Sequence, residues 1–161
     1  MAQPGLVRVR SIMDSQLVIR SMEQEDIECV SCIEAECFSM PWSADAYRKV
    51  LEDDKCLYLV ASLNGSVVGM CGVMNILGEG DIHNVAVTAA QRGQGIAFAM
   101  LCELIRRGEE RGIVDFTLEV RVSNQAAIHT YEKLGFVSEG IRPKFYEKPI
   151  EDAMIMWRRR K

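Results

Sequence analysis

A chain of 161 residues with 48% apolar content can fill one core and normally forms one domain. Its formal net charge of −4 excludes nucleic-acid binding by overall electrostatics, and no apolar run reaches the roughly 18 residues of a membrane-spanning helix. The N-terminus has basic residues but no apolar segment followed by a small-residue cleavage site, so a cytoplasmic protein is expected.

Residues 1–16 have weak periodicity and contain Pro4-Gly5, which reads as an N-terminal extension. Leu17 to Arg20 is the first expected strand. A helix then starts at Ser21 or within the next few residues and runs to about Phe38, with Ile27, Val30, Ile33 and Cys37 as its apolar stripe. Pro41-Trp42-Ser43 breaks the chain. Ser43 is placed to cap a second helix to about Glu52, with Tyr47, Val50 and Leu51 inward. Cys56 to Leu63 and Val67 to Ile76 are β-rich and joined through Asn64-Gly65, a hairpin signal because both residues tolerate positive φ. Gly78-Glu79-Gly80 is expected to turn the chain into a buried strand at Ile82 to Val87.

Gly95 to Arg111 carries Ile96, Met100, Leu101, Leu104 and Ile105 on one side and predicts an amphipathic helix, stopped by Gly112. Val114 to Val120 is the next strand. Ser123 or Asn124 caps a short helix ending at Leu134-Gly135, and Phe136 to Ile141 and Ala153 to Trp157 close the chain around a loop from Arg142 to Ile150. Hairpins first and a strand, helix, strand crossover later predict an α/β fold with a mixed, mostly antiparallel central sheet flanked by helices. Residues 17–157 are its domain. Residues 158–161, Arg-Arg-Arg-Lys, remain as a basic tail, read as solvated in preference to an RNA contact.

The six cysteines do not read as a disulfide framework. Cys29, Cys32, Cys37, Cys56, Cys71 and Cys102 mostly sit among apolar residues of predicted elements. Cys29 and Cys32 form one CxxC, but His83 and His129 lie elsewhere with no ligand-like spacing. A helix packing its cysteines is therefore expected, with no metal.

Between the strand at 82–87 and the long helix lies Thr88-Ala89-Ala90-Gln91-Arg92-Gly93-Gln94-Gly95. Two glycines at a helix entrance let the backbone approach a ligand, and the unpaired N–H groups of the first turn then face it. Phosphate suits such a site. Neither GxGxxG nor a GK[ST] ending is present, which points to a pyrophosphate held by backbone donors without a necessary metal. A tight strand-to-helix turn accounts for the glycines equally well. Alternation puts Glu119 opposite the face of Phe116, Leu118 and Val120, as a general base or as a solvated residue balanced by Arg121. Tyr131, in line with Ala127 and Leu134, is either core packing or a hydroxyl delivered into a cleft, where it could protonate a departing thiolate.

Arg92-Gly93-Gln94-Gly95-Ile96-Ala97 resembles the RxxGxG/A motif of the GCN5-related N-acetyltransferases. The resemblance implies acetyl-CoA as cosubstrate, its diphosphate held by Gly93, Gln94, Gly95, Ile96, Ala97 and Phe98 and its pantetheine arm by Val85, Ala86 and Val87. The run Leu118-Glu119-Val120-Arg121-Val122-Ser123-Asn124-Gln125-Ala126-Ala127-Ile128, continuing through Tyr131 and Leu134-Gly135-Phe136, is similar to the LEVRxSNxxAIxxYxxxGF signature of bacterial ribosomal-protein alanine N-alpha-acetyltransferases. The turn from Phe38 to Ser43 and the closing Glu151 to Met156 extend the likeness over residues 17–157. It implies Glu119 as base, Tyr131 as acid, Asn124 as a cofactor contact, Trp42 and Tyr146 at the substrate, and the N-terminal alanine of ribosomal protein S18 as acceptor.

The family's tyrosine pair before the last strand is Phe145-Tyr146 here, Glu147 replaces the usual proline, and the loop to Glu151 is shorter. Archaeal and eukaryotic relatives act on several protein N-termini, some with an auxiliary subunit, so broader N-terminal specificity is the nearest rival. A small-molecule amine acetyltransferase and a noncatalytic acyl-CoA-binding regulator are the others. His83 is either a proton path to Glu119 or a satisfied sheet histidine.

Overall fold

The computed structural model describes residues 7–9 and 16–161. Among the described residues eight strands form one sheet: β1 Val7–Val9, β2 Leu17–Ser21, β3 Cys56–Leu63, β4 Ser66–Ile76, β5 Glu79–Val87, β6 Asp115–Arg121, β7 Val137–Glu147 and β8 Ile150–Arg158. Four helices accompany them: α1 Ile27–Cys37, α2 Ala44–Glu52, α3 Ile96–Glu110 and α4 Gln125–Lys133. The strand order is β1-β2-β3-β4-β5-β6-β8-β7, and β5 with β6 is the parallel pair among otherwise antiparallel neighbours. The expected mixed sheet is the observed one.

Two apolar layers hold the helices to the sheet. On one side Ile96, Met100, Leu101 and Leu104 of α3 and Ile128 of α4 pack on Leu59, Val73, Phe116 and Leu118. On the other, Val30 and Ile33 of α1 and Tyr47 of α2 pack on Tyr58, Val60 and Met70. Strands covered on both faces read as continuous apolar runs, which is why β3 is buried from Cys56 to Ser62. Ser43 caps α2 by accepting from the Ala46 N–H at 3.2 Å, and Asn124 caps α4 through the Ala127 N–H at 3.2 Å. No helix among the described residues is long and apolar enough to cross a membrane.

Several boundaries differ from the expectation for identifiable reasons. α1 starts at Ile27 because Asp26 closes a capping box with Glu23 over a short 3-10 turn, Gln24–Asp26, and takes a bidentate pair from Arg20. The turn before β5 is Leu77-Gly78, both at positive φ, and Glu79 and Gly80 already belong to the strand. Gly80 is there for packing: a Cβ would come within 2.9 Å of Ile113 and 3.0 Å of Phe116 and Val73. The expected loop at Arg142 to Ile150 is mostly strand. Pro143, Lys144 and Phe145 bulge against Asp152, whose carboxylate accepts the Lys144 N–H at 2.9 Å, and pairing resumes at Tyr146 opposite Glu151.

The ends also depart from the reading. β1 pairs with β2 and so brings part of the expected extension into the sheet, while residues 1–6 and 10–15 lie outside the described residues. Arg158 ends β8 and binds Glu109 at 3.0 Å. Arg159 stacks on Trp157 and takes a bidentate pair with Glu139, and the Arg160 N–H donates to Asp115 at 2.8 Å, so three of the four residues of the supposed solvated tail are anchored. Cys29 and Cys32 are on the exposed face of α1 instead of packing, as is Cys102 on α3.

Candidate active site

β5 and β6 stay together for three register pairs only, Glu79 with Asp115, Gly80 with Phe116 and Asp81 with Thr117. Past that point the two strands part. β5 also bulges: Met70 of β4 faces Ala86 and Gly72 faces His83, so Asn84 and Val85 stand together against Cys71. Asn84 takes φ 57°, an uncommon conformation that asparagine tolerates better than most residues. The gap is lined by a cavity on each side, and Cys37 and Phe38 at the end of α1 border both.

The larger cavity, about 730 Å³, runs between the end of β5 and the starts of α3 and α4. Of the residues expected at the cofactor, Val85, Ala86, Val87, Gly93, Gly95, Ile96, Ala97, Phe98 and Asn124 line it; Gln94 does not, and its amide turns to Gln91 at 3.3 Å. Gly93 and Gly95 lie at φ 77° and 79°, and a Cβ on either would meet nothing within 4 Å. The glycines therefore serve backbone conformation and open approach, not internal packing. α3 has no side-chain cap, so its first-turn N–H groups face the cavity unpaired. Thr88 N–H bonds back to Val68 while Val87 faces Gly69. By antiparallel alternation, Val87 turns its own N–H and C=O away from β4. Its carbonyl accepts from Arg92 Nε at 2.9 Å, tying the loop to the strand.

The second cavity, about 420 Å³, is lined by Trp42, His83, Asn84, Arg121 and Tyr146 together with Glu34. Trp42 and Tyr146, the predicted substrate residues, both belong to it. Arg121 is not the partner of Glu119. It binds Glu151 at 3.2 Å, the carbonyls of Lys148 and Pro149, and lies over the Tyr146 ring at 4.3 Å, clamping the β7–β8 turn onto the cavity.

Glu119 is 24% exposed on the half-buried row of β6, with Arg142 at 3.7 Å. It lines neither cavity wall, but its charge is felt at Tyr146 of the second: burial first, and then Glu119, push that hydroxyl above its ordinary value. Tyr131 is on the other side, 7% exposed, its ring on Phe136. Burial, with smaller contributions from Tyr146 and Cys71, raises its pKa well above the usual phenol range, so it stays protonated at neutral pH. Its hydroxyl has no partner among the described residues and opens into the larger cavity. The arrangement places a retained proton on one side of the gap and, on the other, a carboxylate paired only with the half-exposed Arg142.

A model of the acetyltransferase (GNAT) family matches residues 27–136, more than half of the chain. The protein is a member of the GNAT acetyltransferase family. A Bacillus subtilis (strain 168) protein provisionally named a ribosomal protein bS18-alanine N-acetyltransferase is 36% identical over 146 residues, 90% of this chain and 97% of its own. The Escherichia coli (strain K12) ribosomal protein bS18-alanine N-acetyltransferase is 34% identical over 140 residues, 86% and 94% of the two chains. The crystal structure of the E. coli enzyme matches with a TM-score of 0.80 over 88% of this chain and 92% of that one.

Within this GNAT domain, one cluster escaped sequence reading. Glu34, 2% exposed on α1, accepts from the Trp42 N–H at 3.0 Å, the Tyr47 hydroxyl at 2.5 Å and Asn84 Nδ2 at 3.0 Å, and Tyr58 donates to Asn84 Oδ1 at 2.9 Å. It joins α1, the α1–α2 turn, α2 and the β5 bulge. The available signal was a carboxylate directly after the apolar Ile33 of the α1 stripe, but its partners are 8, 13 and 50 residues away.

Proposed function

We propose that this GNAT protein transfers the acetyl group of acetyl-CoA to the α-amino group of a protein N-terminus, with the N-terminal alanine of ribosomal protein S18 as its acceptor. The observation that carries the reading is the parted β5–β6 pair, which opens one cavity to the cofactor side and one to the substrate side with a common border. Similarity over nearly the full length to the B. subtilis and E. coli proteins supports the choice of acceptor.

Acetyl-CoA supplies an activated thioester. The N–H groups of Gly95 to Phe98 at the head of α3 hold its diphosphate, and Val85 to Val87 offer an open strand edge to its extended arm. The Val87 N–H is the donor facing the thioester carbonyl. On the substrate side Trp42 and Tyr146 hold the incoming N-terminus. An α-amine, with a pKa of about 7.7 to 8, is easier to deprotonate than a lysine at about 10.4. Glu119 accepts the proton lost as nitrogen attacks, and Tyr131 donates its proton to the leaving sulfur.

The test is mass spectrometry of products formed with acetyl-CoA from an Ala-starting peptide, the same peptide blocked at its N-terminus, and one with only an internal lysine. Acetyl on the free α-amine alone supports the assignment. Acetyl found only on internal lysine overturns it, and tolerance of Ser or Thr starts marks a broader N-terminal enzyme.

A further inference from the structure

Asp81 and His83 stand on the same face of β5, two residues apart, where that strand leaves β6. Asp81 is in register with Thr117, so the next residues along the same rows are His83 and Glu119, the first pair facing each other across the opened gap. His83 Nε2 is 3.2 Å from Asp81 Oδ2. A carboxylate beside Nε2 keeps the ring proton there and leaves the Nδ1 lone pair available. Nδ1 has no hydrogen-bond partner among the described residues and is not buried, and the side chain, 35% exposed, forms part of the substrate cavity wall with Trp42 6.4 Å away ring to ring.

The surroundings favour a transient positive charge on this ring. From β5 it faces Asp81 and from β6 Glu119. The cations of the neighbouring elements are themselves paired, Arg121 with Glu151 and the half-exposed Arg142 with Glu119 at 3.7 Å. Glu34 of α1 is saturated by its three donors, and Tyr146 of β7 is held in its neutral form by burial. Asp81 first, and Glu119 after it, outweigh burial and set the His83 pKa above its ordinary value, nearer to that of a protein α-amine.

We propose that His83 is a catalytic residue that removes the first proton from the incoming α-ammonium, before Glu119 takes the second during attack. The proposal rests on the N-alpha reading of the site. One N–H proton of R–NH3+ passes to His83 Nδ1, giving R–NH2 and an imidazolium paired with Asp81. The N–C bond then forms as the C–S bond breaks, the second proton goes to Glu119 and the Tyr131 proton to sulfur. Glu119 returns its proton to the Tyr131 oxygen and His83 releases one to solvent at its exposed edge. The sum is R–NH3+ plus acetyl-CoA giving the amide, coenzyme A and one proton.

The experiment is single-turnover transfer to a saturating Ala-starting peptide across roughly pH 6 to 9.5, with wild type, His83→Gln, His83→Ala and Asp81→Asn, each checked for melting temperature and acetyl-CoA affinity. In His83→Gln the rate depends on the amine ionising unaided, so the profile moves to alkaline pH. The loss is about ten-fold near pH 6.5 and fades above about pH 9. In Asp81→Asn the imidazole is less basic, so the profile moves the opposite way, to acid pH. Added imidazole restores His83→Ala at low pH. Profiles that keep their midpoint in both variants, or a uniform loss without imidazole rescue, overturn the role of His83. A wild-type enzyme that forms no Nα-acetyl product sinks the substrate assignment instead, so the two failures are distinguishable.

Discussion

Replacing Glu34 by Gln isolates the buried cluster under the substrate cavity. The carboxylate takes three donors, Tyr47 and Asn84 on Oε1 and the Trp42 N–H on Oε2. Glutamine offers one carbonyl and one NH2. If its carbonyl keeps Tyr47 and Asn84, the NH2 confronts the Trp42 N–H, donor against donor; the flipped amide loses two bonds instead of one. The cheaper arrangement strands one buried N–H, which costs about 1–3 kcal/mol. Weaker, uncharged bonds to the other two donors add to that loss. Removing a buried charge works in the other direction, but a charge already met by three donors has little desolvation left to relieve. A net loss of about 2 kcal/mol lowers the melting temperature of a chain this size by about 4–8 °C. Calorimetry on Glu34→Gln, Tyr47→Phe and the double variant measures it, with coupling above about 0.5 kcal/mol expected for residues in contact. The α1–α2 turn carrying Trp42 should also loosen, raising the peptide KM with little change in acetyl-CoA affinity. An unchanged or raised melting temperature, with additive single effects, would refute this account.

Glu119→Gln should slow the chemical step by about ten- to a thousand-fold, and Tyr131→Phe should slow it similarly without weakening acetyl-CoA binding; wild-type pre-steady-state rates in both variants would remove their assigned roles. Gly95→Val forces a β-branched residue into φ 79° at the mouth of α3 and should weaken acetyl-CoA binding. In the wild type, calorimetry in EDTA should show undiminished affinity, and a loss restored by added metal would contradict a diphosphate held by backbone donors. For Asp26, burial pushes the carboxyl up, but the Arg20 pair and the Glu23 N–H outweigh it and leave the pKa lowered. Such a group stabilises the fold above its unfolded value of about 3.9, and that contribution is lost as pH falls through the lower folded value. Asp26→Asn should therefore melt below wild type at neutral pH, with the gap closing in acid. Parallel curves down to about pH 2 would contradict the pairing.

What the chain determined by itself is what its local chemistry dictates. The period-3.6 stripe of α3, the Asn64-Gly65 turn, the caps at Ser43 and Asn124 and the alternation that turns Glu119 away from Phe116 and Leu118 each depend on neighbours a few residues away, and each is found as read. The glycine-bearing entrance to α3 was visible for the same reason. Where a boundary was misread, a distant partner decided it: Arg20 and Asp26 delay α1, Asp152 absorbs the bulge that keeps β7 a strand through Pro143, and Glu109 and Glu139 fasten Arg158 and Arg159. The site shows the division most sharply. Sequence supplied Glu119, Tyr131, Trp42 and Tyr146, but nothing local says that β5 and β6 separate after three pairs. Nor does the sequence show the Asn84 bulge that follows, held by Glu34 from 50 residues away and by Tyr58 from 26. The proposed proton-transfer groups Glu119 and Tyr131 were named from the family resemblance; which side of the gap each one faces, and that His83 stands in the row beside Glu119, depends on strand register, a property of the paired sheet and not of any one strand.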